Sequence, residues 1–102
     1  MKLLTKKDLE NLPALYSTED QKDPIVQVKL FHPLGQAAWY LTEFDGEDLA
    51  FGFCIIQESE LGYVSMQELK DLNIGGLKIE RDTSFTPKKL SEIKKELGYV
   101  VD

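Results

Sequence analysis

The sequence predicts an α+β domain: an antiparallel meander of about four to five strands, with two or three short helices packed on one face or at its ends. Three observations predict it. Residues 25–31 alternate apolar and polar with the period of a half-buried strand. Two aromatic-rich runs, 37–44 and 49–57, flank Asp45-Gly46, a pair that tolerates positive φ and so marks a hairpin. Helix-capping signals occur only at the heads of short segments, at Thr5, Ser65 and Thr86.

Taken in chain order, Thr5-Lys6-Lys7-Asp8 reads as a capping box opening a short helix, with Leu9 and Leu12 as its apolar edge and Pro13 as its end. Residues 17–24 are polar and read as a loop. In the first strand Val26, Val28 and Leu30 share one side, and Gln27 and Lys29 the other. Pro33 and Gly35 break it. The runs 37–44 and 49–57 pair through the Asp45-Gly46 turn, and after a polar turn at 57–60 the chain returns as Leu61-Gly62-Tyr63-Val64. That strand leads into Ser65-Met66-Gln67-Glu68, a Ser-x-x-Glu capping box. Met66, Leu69 and Leu72 dock the resulting helix, and Asn73 with Gly75-Gly76 stops it. Residues 77–81 read as a short edge strand. Thr86 as N-cap and Pro87 at the first helical position open the last helix, which Gly98 closes. Its stripe is Leu90, Ile93 and Leu97, with Lys88, Lys89, Glu92, Lys95 and Glu96 facing water.

At 102 residues the chain is a single domain, 1–102, and its 42% hydrophobic and 29% charged content is that of a folded globular protein. No apolar run approaches the ~20 residues of a membrane helix, and the first ten residues lack a secretory h-region, so a cytoplasmic protein without membrane contact is expected. The lone Cys54 has no disulfide partner and sits in an apolar run, which makes it a small hydrophobe rather than an activated thiol. From Leu30 to Leu69 there is no Lys or Arg, while seven acids fall inside, so this stretch carries −7 and accounts for the whole net charge of −6. Such a balance opposes direct nucleic-acid binding, which rests on Lys and Arg displacing counterions, and favours a protein partner with a basic surface.

Several phrases are more specific than the pattern they serve. They are Trp39-Tyr40-Leu-Thr-Glu43-Phe44-Asp45-Gly46-Glu47-Asp48, Phe51-Gly52, Glu60-Leu61-Gly62-Tyr63, and Glu80-Arg81-Asp82 with Phe85. With the opening Met-Lys-Leu-Leu-Thr and Leu12-Pro13-Ala14-Leu15-Tyr16, they resemble a small bacterial family of unknown function found on plasmids, conjugative elements and phages. The resemblance covers nearly the whole chain. It implies a mobile-element setting and carries over no catalytic or binding residues. Departures are Val64, where aromatic residues are common, and a tail running past the last helix to Asp102.

Two acidic groups are candidate sites. Glu43, Asp45, Glu47 and Asp48 surround the hairpin turn; clustered carboxylates suit a hard cation or a basic protein surface, but Asp and Gly also serve a turn for backbone reasons alone. Glu58 and Glu60 approach Glu80-Arg81-Asp82 if their strands are neighbours. That would give a metal-dependent hydrolase or nuclease site, against which stands a structural ion pair of Arg81 with Glu80, Asp82 or the Glu58 turn. Trp39 and Tyr40 point to opposite faces, so one is expected in the core and the other near the surface as a binding anchor or under the last helix. His32, at a strand end with no nucleophile pattern nearby, reads as a hydrogen-bonded or solvated histidine. Gly75-Gly76 follows a helix and lacks a phosphate-loop lysine.

The reading that follows is a small acidic cytosolic protein acting as a non-enzymatic accessory or protein-interaction module of a mobile genetic element. The expected partner surface is Trp39, Tyr40, Glu43, Asp45, Glu47, Asp48, Glu58 and Glu60. No catalytic residue, metal or cofactor is assigned, and the oligomeric state is open, with residues 77–81 as the edge available for pairing. The alternatives are the metal-dependent hydrolase or nuclease and an acidic DNA mimic directed at a host defence enzyme.

Overall fold

The computed structural model describes residues 3–35, 37–56 and 58–98. Met1 and Lys2 of the opening phrase, Gln57 of the polar turn and the tail from Tyr99 to Asp102 lie outside the described residues. Among the described residues the fold is α+β, with a five-stranded antiparallel sheet and three short helices.

Helix α1 (Lys6–Asn11) opens on the expected capping box: Asp8 N–H donates to Thr5 Oγ1 (3.1 Å) and Thr5 N–H to Asp8 Oδ2 (2.7 Å). Its apolar edge is narrower than expected, since Leu12 is buried but Leu9 is exposed. The predicted strand at 25–31 is two pieces, β1 (Ile25–Val26) and β2 (Val28–Phe31). Gln27 between them donates its N–H to Leu41 C=O (2.9 Å). The break turns Val26 away from Val28 and Leu30, so the three valine and leucine side chains enter two different cores rather than one.

β3 (Ala38–Phe44) and β4 (Leu49–Ile55) form the predicted hairpin, turning at Gly46 with φ 89°. β5 (Ser59–Ser65) continues the meander and runs into α2 (Met66–Asp71). Ser65 Oγ accepts from Glu68 N–H (3.2 Å), and the second half of the cap comes from Asp48, which takes Gln67 N–H (2.7 Å) and the Ser65 hydroxyl (2.6 Å). After α2, β6 (Asn73–Ile74) and β7 (Leu77–Lys78) make a small hairpin around Gly75 and Gly76, both at positive φ. The expected single strand at 77–81 is therefore split, and its second half, β8 (Glu80–Arg81), pairs with β2.

β9 (Lys88–Lys89) pairs with β1, and α3 (Leu90–Glu96) begins three residues later than Pro87. The reason lies in the loop before β1. Asp23 accepts from Ser91 N–H (2.8 Å) and Ser91 Oγ (2.6 Å), so the cap is supplied by a distant carboxylate and not by Thr86. Gly98 at φ 86° ends the helix as expected, but Leu97 of the predicted stripe is exposed.

The sheet order is β5-β4-β3-β2-β8, and both faces are covered. Trp39 and Leu41 pack on one face with Val28, Leu30, Met66, Leu69 and Ile79, beneath α1 and α2. Tyr40 and Ala38 pack on the other with Val26, Phe53, Leu90 and Ile93, beneath α3. Gly52 is required in the middle: a Cβ there would lie 2.1 Å from the Tyr40 carbonyl oxygen. Cys54 is buried in the first core, and burial followed by the charge of Glu60 pushes its thiol up to about 11, so it behaves as the expected small hydrophobe. No helix among the described residues is long and apolar enough to cross a membrane.

Candidate functional site

The β3–β4 ladder contains a bulge between Leu41 and Glu43. A strand without it would put Glu43 beside Leu41 and Phe44 beside Tyr40. The extra residue, Thr42, reverses that parity, so Phe44 joins the Trp39 core while Glu43 turns to the other face opposite Phe51. Thr42 itself is held by its hydroxyl donating to Phe51 C=O (3.2 Å).

Turned this way, Glu43 anchors the loop that crosses the sheet between α1 and β1. Its carboxylate accepts Tyr16 N–H (2.8 Å), Thr18 N–H (2.9 Å) and the Thr18 hydroxyl. The residue is 3% exposed, and among the described residues no lysine or arginine forms an ion pair with it. Tyr16 is held at φ 68°, a left-handed conformation that costs a non-glycine residue about 1 kcal/mol or more. The carboxylate's grip on the two amides compensates for this strain.

Between this loop, the sheet and α3 lies a cleft of about 430 Å³. Its rings are Tyr16, Phe51 and Tyr63: Phe51 and Tyr63 centroids are 4.8 Å apart, and Tyr16 stands 6.1 Å from Tyr63. Leu61 extends the apolar wall, Glu43 closes the floor, and Glu19, Lys22 and Lys94 stand around the opening. Partial desolvation, and after it the Tyr16 hydroxyl, raise the Tyr63 phenol above its ordinary value, so the Tyr63 ring is neutral at pH 7. Tyr16, Leu61 and Tyr63 remain 57%, 52% and 48% exposed, a contiguous apolar surface of the kind that marks contact sites.

The residues expected to form the partner surface separate into four groups. Trp39 and Tyr40 are 3% and 4% exposed, one in each core: of the two places expected for the second ring, Tyr40 takes the one beneath the last helix, so neither ring stands at the surface as an anchor. Asp45 Oδ1 accepts the N–H groups of Glu47, Asp48 and Leu49, and those backbone bonds hold its carboxyl below the ordinary range. Asp48 caps α2, as described. Glu47, Glu58 and Glu60 are exposed. The hairpin acids are thus largely spent on backbone donors, and only Glu43 enters the cleft.

The second acidic group does not converge. Glu60 lies on β5 and Glu80 on β8, at opposite edges of the sheet and four strand spacings, ~19 Å, apart. Arg81 pairs with neither neighbour. It reaches α1, where Nη2 is 2.9 Å from Asp8 Oδ1 and Nη1 contacts Asp8 Oδ2 and the Leu3 carbonyl, while Asp82 pairs with Lys29 (3.4 Å). His32 is buried and hydrogen-bonded: Leu34 N–H donates to Nδ1 (3.2 Å), which leaves the proton on Nε2 to donate to Leu77 C=O (3.1 Å). Among the described residues no three His, Cys, Asp or Glu side chains gather as a metal site would require.

These features define a small α+β domain with a sheet covered on both faces and an aromatic cleft beside one edge. The chain belongs to the DUF2958 family, proteins of unknown function, whose model matches residues 3–96. No curated protein and no solved structure matches it.

Tyr16, Phe51, Leu61 and Tyr63 line the cleft without having been expected there. Leu61 and Tyr63 were legible as same-face neighbours in a strand; Tyr16 was not, because only the bulge at Thr42 brings Glu43 to its amide.

Proposed function

We propose that this protein is a non-enzymatic accessory or protein-interaction module of a mobile genetic element, acting in the cytoplasm, and that a protein with a basic surface docks at the cleft. The observation that supports it is the exposed wall of Tyr16, Leu61 and Tyr63 over a buried, cation-free carboxylate. Aromatic faces attract a lysine or arginine side chain, most strongly where water is excluded. Lys22 and Lys94 stand at the opening, but no base lies on β3, β4 or β5 behind the rings, and Glu19 and Glu43 supply negative charge that an incoming cation would meet.

The metal-dependent hydrolase and the DNA mimic both need free carboxylates in a shared array. Glu43, Asp45 and Asp48 instead give their oxygens to backbone N–H groups and to the Thr18 and Ser65 hydroxyls. Affinity capture from cells carrying the parent element tests the docking reading. Wild-type protein is expected to retain a partner that high salt releases and that Tyr16→Asn and Tyr63→Ser both lose. Equal capture by both variants contradicts the cleft. Calorimetric titration with Mg²⁺, Mn²⁺ and Ca²⁺ is expected to show no binding at millimolar metal, and a stoichiometric heat would restore the enzyme.

A further inference from the structure

Independently of any foreign partner, the outer edge of β5 is shaped to meet itself. Two ladder bonds set the direction of its backbone groups: Met66 N–H donates to Asp48 C=O (2.8 Å), and Ile56 N–H donates to Glu58 C=O (3.3 Å). Antiparallel bonding alternates along a strand, so Glu60, Gly62 and Val64 turn their backbone groups toward β4, while Ser59, Leu61, Tyr63 and Ser65 turn theirs outward. Among the described residues no strand pairs with that outer edge. A seven-residue edge with exposed Leu61 and Tyr63 is the kind that native sheets ordinarily shorten, charge or cover.

We propose that two copies of this chain join their β5 edges antiparallel about a two-fold axis through Gly62, extending the sheet to ten strands. The register follows from parity. An axis through Gly62 sets Leu61 against Tyr63 and Ser59 against Ser65 of the second copy, so every outward N–H and C=O of β5 finds a partner. An axis at Leu61 strands Ser65, and an axis at Tyr63 strands Ser59. An axis between residues sets outward groups against inward ones.

The side chains agree with this register. Leu61 and Tyr63 both lie on the cleft face, so each exposed apolar side chain covers the other across the axis. Glu60 faces Val64, so the strand's acid meets no like charge. Gly62 meets Gly62 as a non-hydrogen-bonded pair, where the strands approach most closely. The axis also brings the two clefts side by side. The opposite edge offers no such surface, since β8 has two residues and its arginine is engaged with Asp8.

Sedimentation equilibrium of the full chain is expected to show a mass rising with concentration from 11.6 kDa toward twice that value. Leu61→Pro removes an outward donor without touching the β4 ladder, and is expected to weaken association about tenfold or more. Gly62→Cys is sterically free, a Cβ there meeting nothing within 4 Å. In a Cys54→Ala background it is expected to form a symmetric disulfide on mild oxidation, whereas Ser59→Cys in the same background is not. Should Leu61→Pro fail to fold by circular dichroism, the cysteine pair decides. A mass of 11.6 kDa at every concentration overturns the proposal and leaves the edge to a foreign strand, as does cross-linking of Ser59→Cys as fast as Gly62→Cys.

Discussion

The two edges of the sheet have been finished in opposite ways. At the β8 edge the strand is two residues long, and its cation is drawn inward: Arg81 forks onto Asp8 across 73 residues of sequence, and Asp82 holds Lys29. At the β5 edge the strand is seven residues long, its backbone is open, and its apolar side chains meet water. Charge is used for closure on one side, and aromatic surface is left available on the other. The acids near the open edge follow the same division of labour, because those that look like a cluster in sequence mostly bind amides, and the open edge is characterised by rings.

Substitutions test this contrast between the edges. The largest effect is expected between the edges, at Gly52→Ala, where a Cβ would collide with the Tyr40 carbonyl; chemical denaturation should show a loss of about 3 kcal/mol, and a change under 1 kcal/mol would mean that β3 and β4 pair in another register. At the closed edge Arg81→Ala strands the buried Asp8 carboxylate and should lose about 2 kcal/mol, less than for an isolated buried charge because the Thr5 amide still donates to Asp8. The double variant Arg81→Ala/Asp8→Asn should recover part of this loss. Glu43→Gln keeps the shape but weakens the three bonds to the Tyr16–Thr18 loop, so a loss of about 1 kcal/mol is expected, with faster proteolysis of that loop. Leu61→Ser at the open edge should change monomer stability by less than about 0.5 kcal/mol.

Acid supplies a further check. Asp23 and Asp45 have lowered folded-state values, Asp23 chiefly through the Ser91 hydroxyl and Asp45 through the Glu47 and Asp48 amides. Depressed carboxyls contribute stability above their unfolded value near 3.8 and lose it as the pH falls through the folded value. Thermal melts should therefore drop below pH 4, and Asp45→Asn should flatten that drop.

The meander was legible because its signals are local: Asp45-Gly46 specifies a turn, and Thr5 and Ser65 specify helix starts, wherever the rest of the chain lies. The side chains' destinations were not. A period-2 run tells which residues share a side, but Gln27 and Thr42 each interrupt a strand and reverse that assignment downstream, and neither break has a residue signature. The start of α3 was missed for a related reason, since Asp23 caps it from 68 positions away. Trp39 and Tyr40 alternate as expected, but alternation cannot reveal that helices cover both faces. In the candidate site, Glu43 was named for its charge but is placed by the bulge as an acceptor for loop amides, while Tyr16 depends on a long-range amide contact that no spacing encodes.

Amide hydrogen exchange along β5 in dilute protein bears most directly on the claim that this edge is open. The structure predicts alternation, with Gly62 and Val64 strongly protected by β4 and Leu61 and Tyr63 exchanging with little protection until concentration or a partner slows them. Uniform protection of all four amides at every dilution would show that the edge is covered within the monomer and would contradict the account.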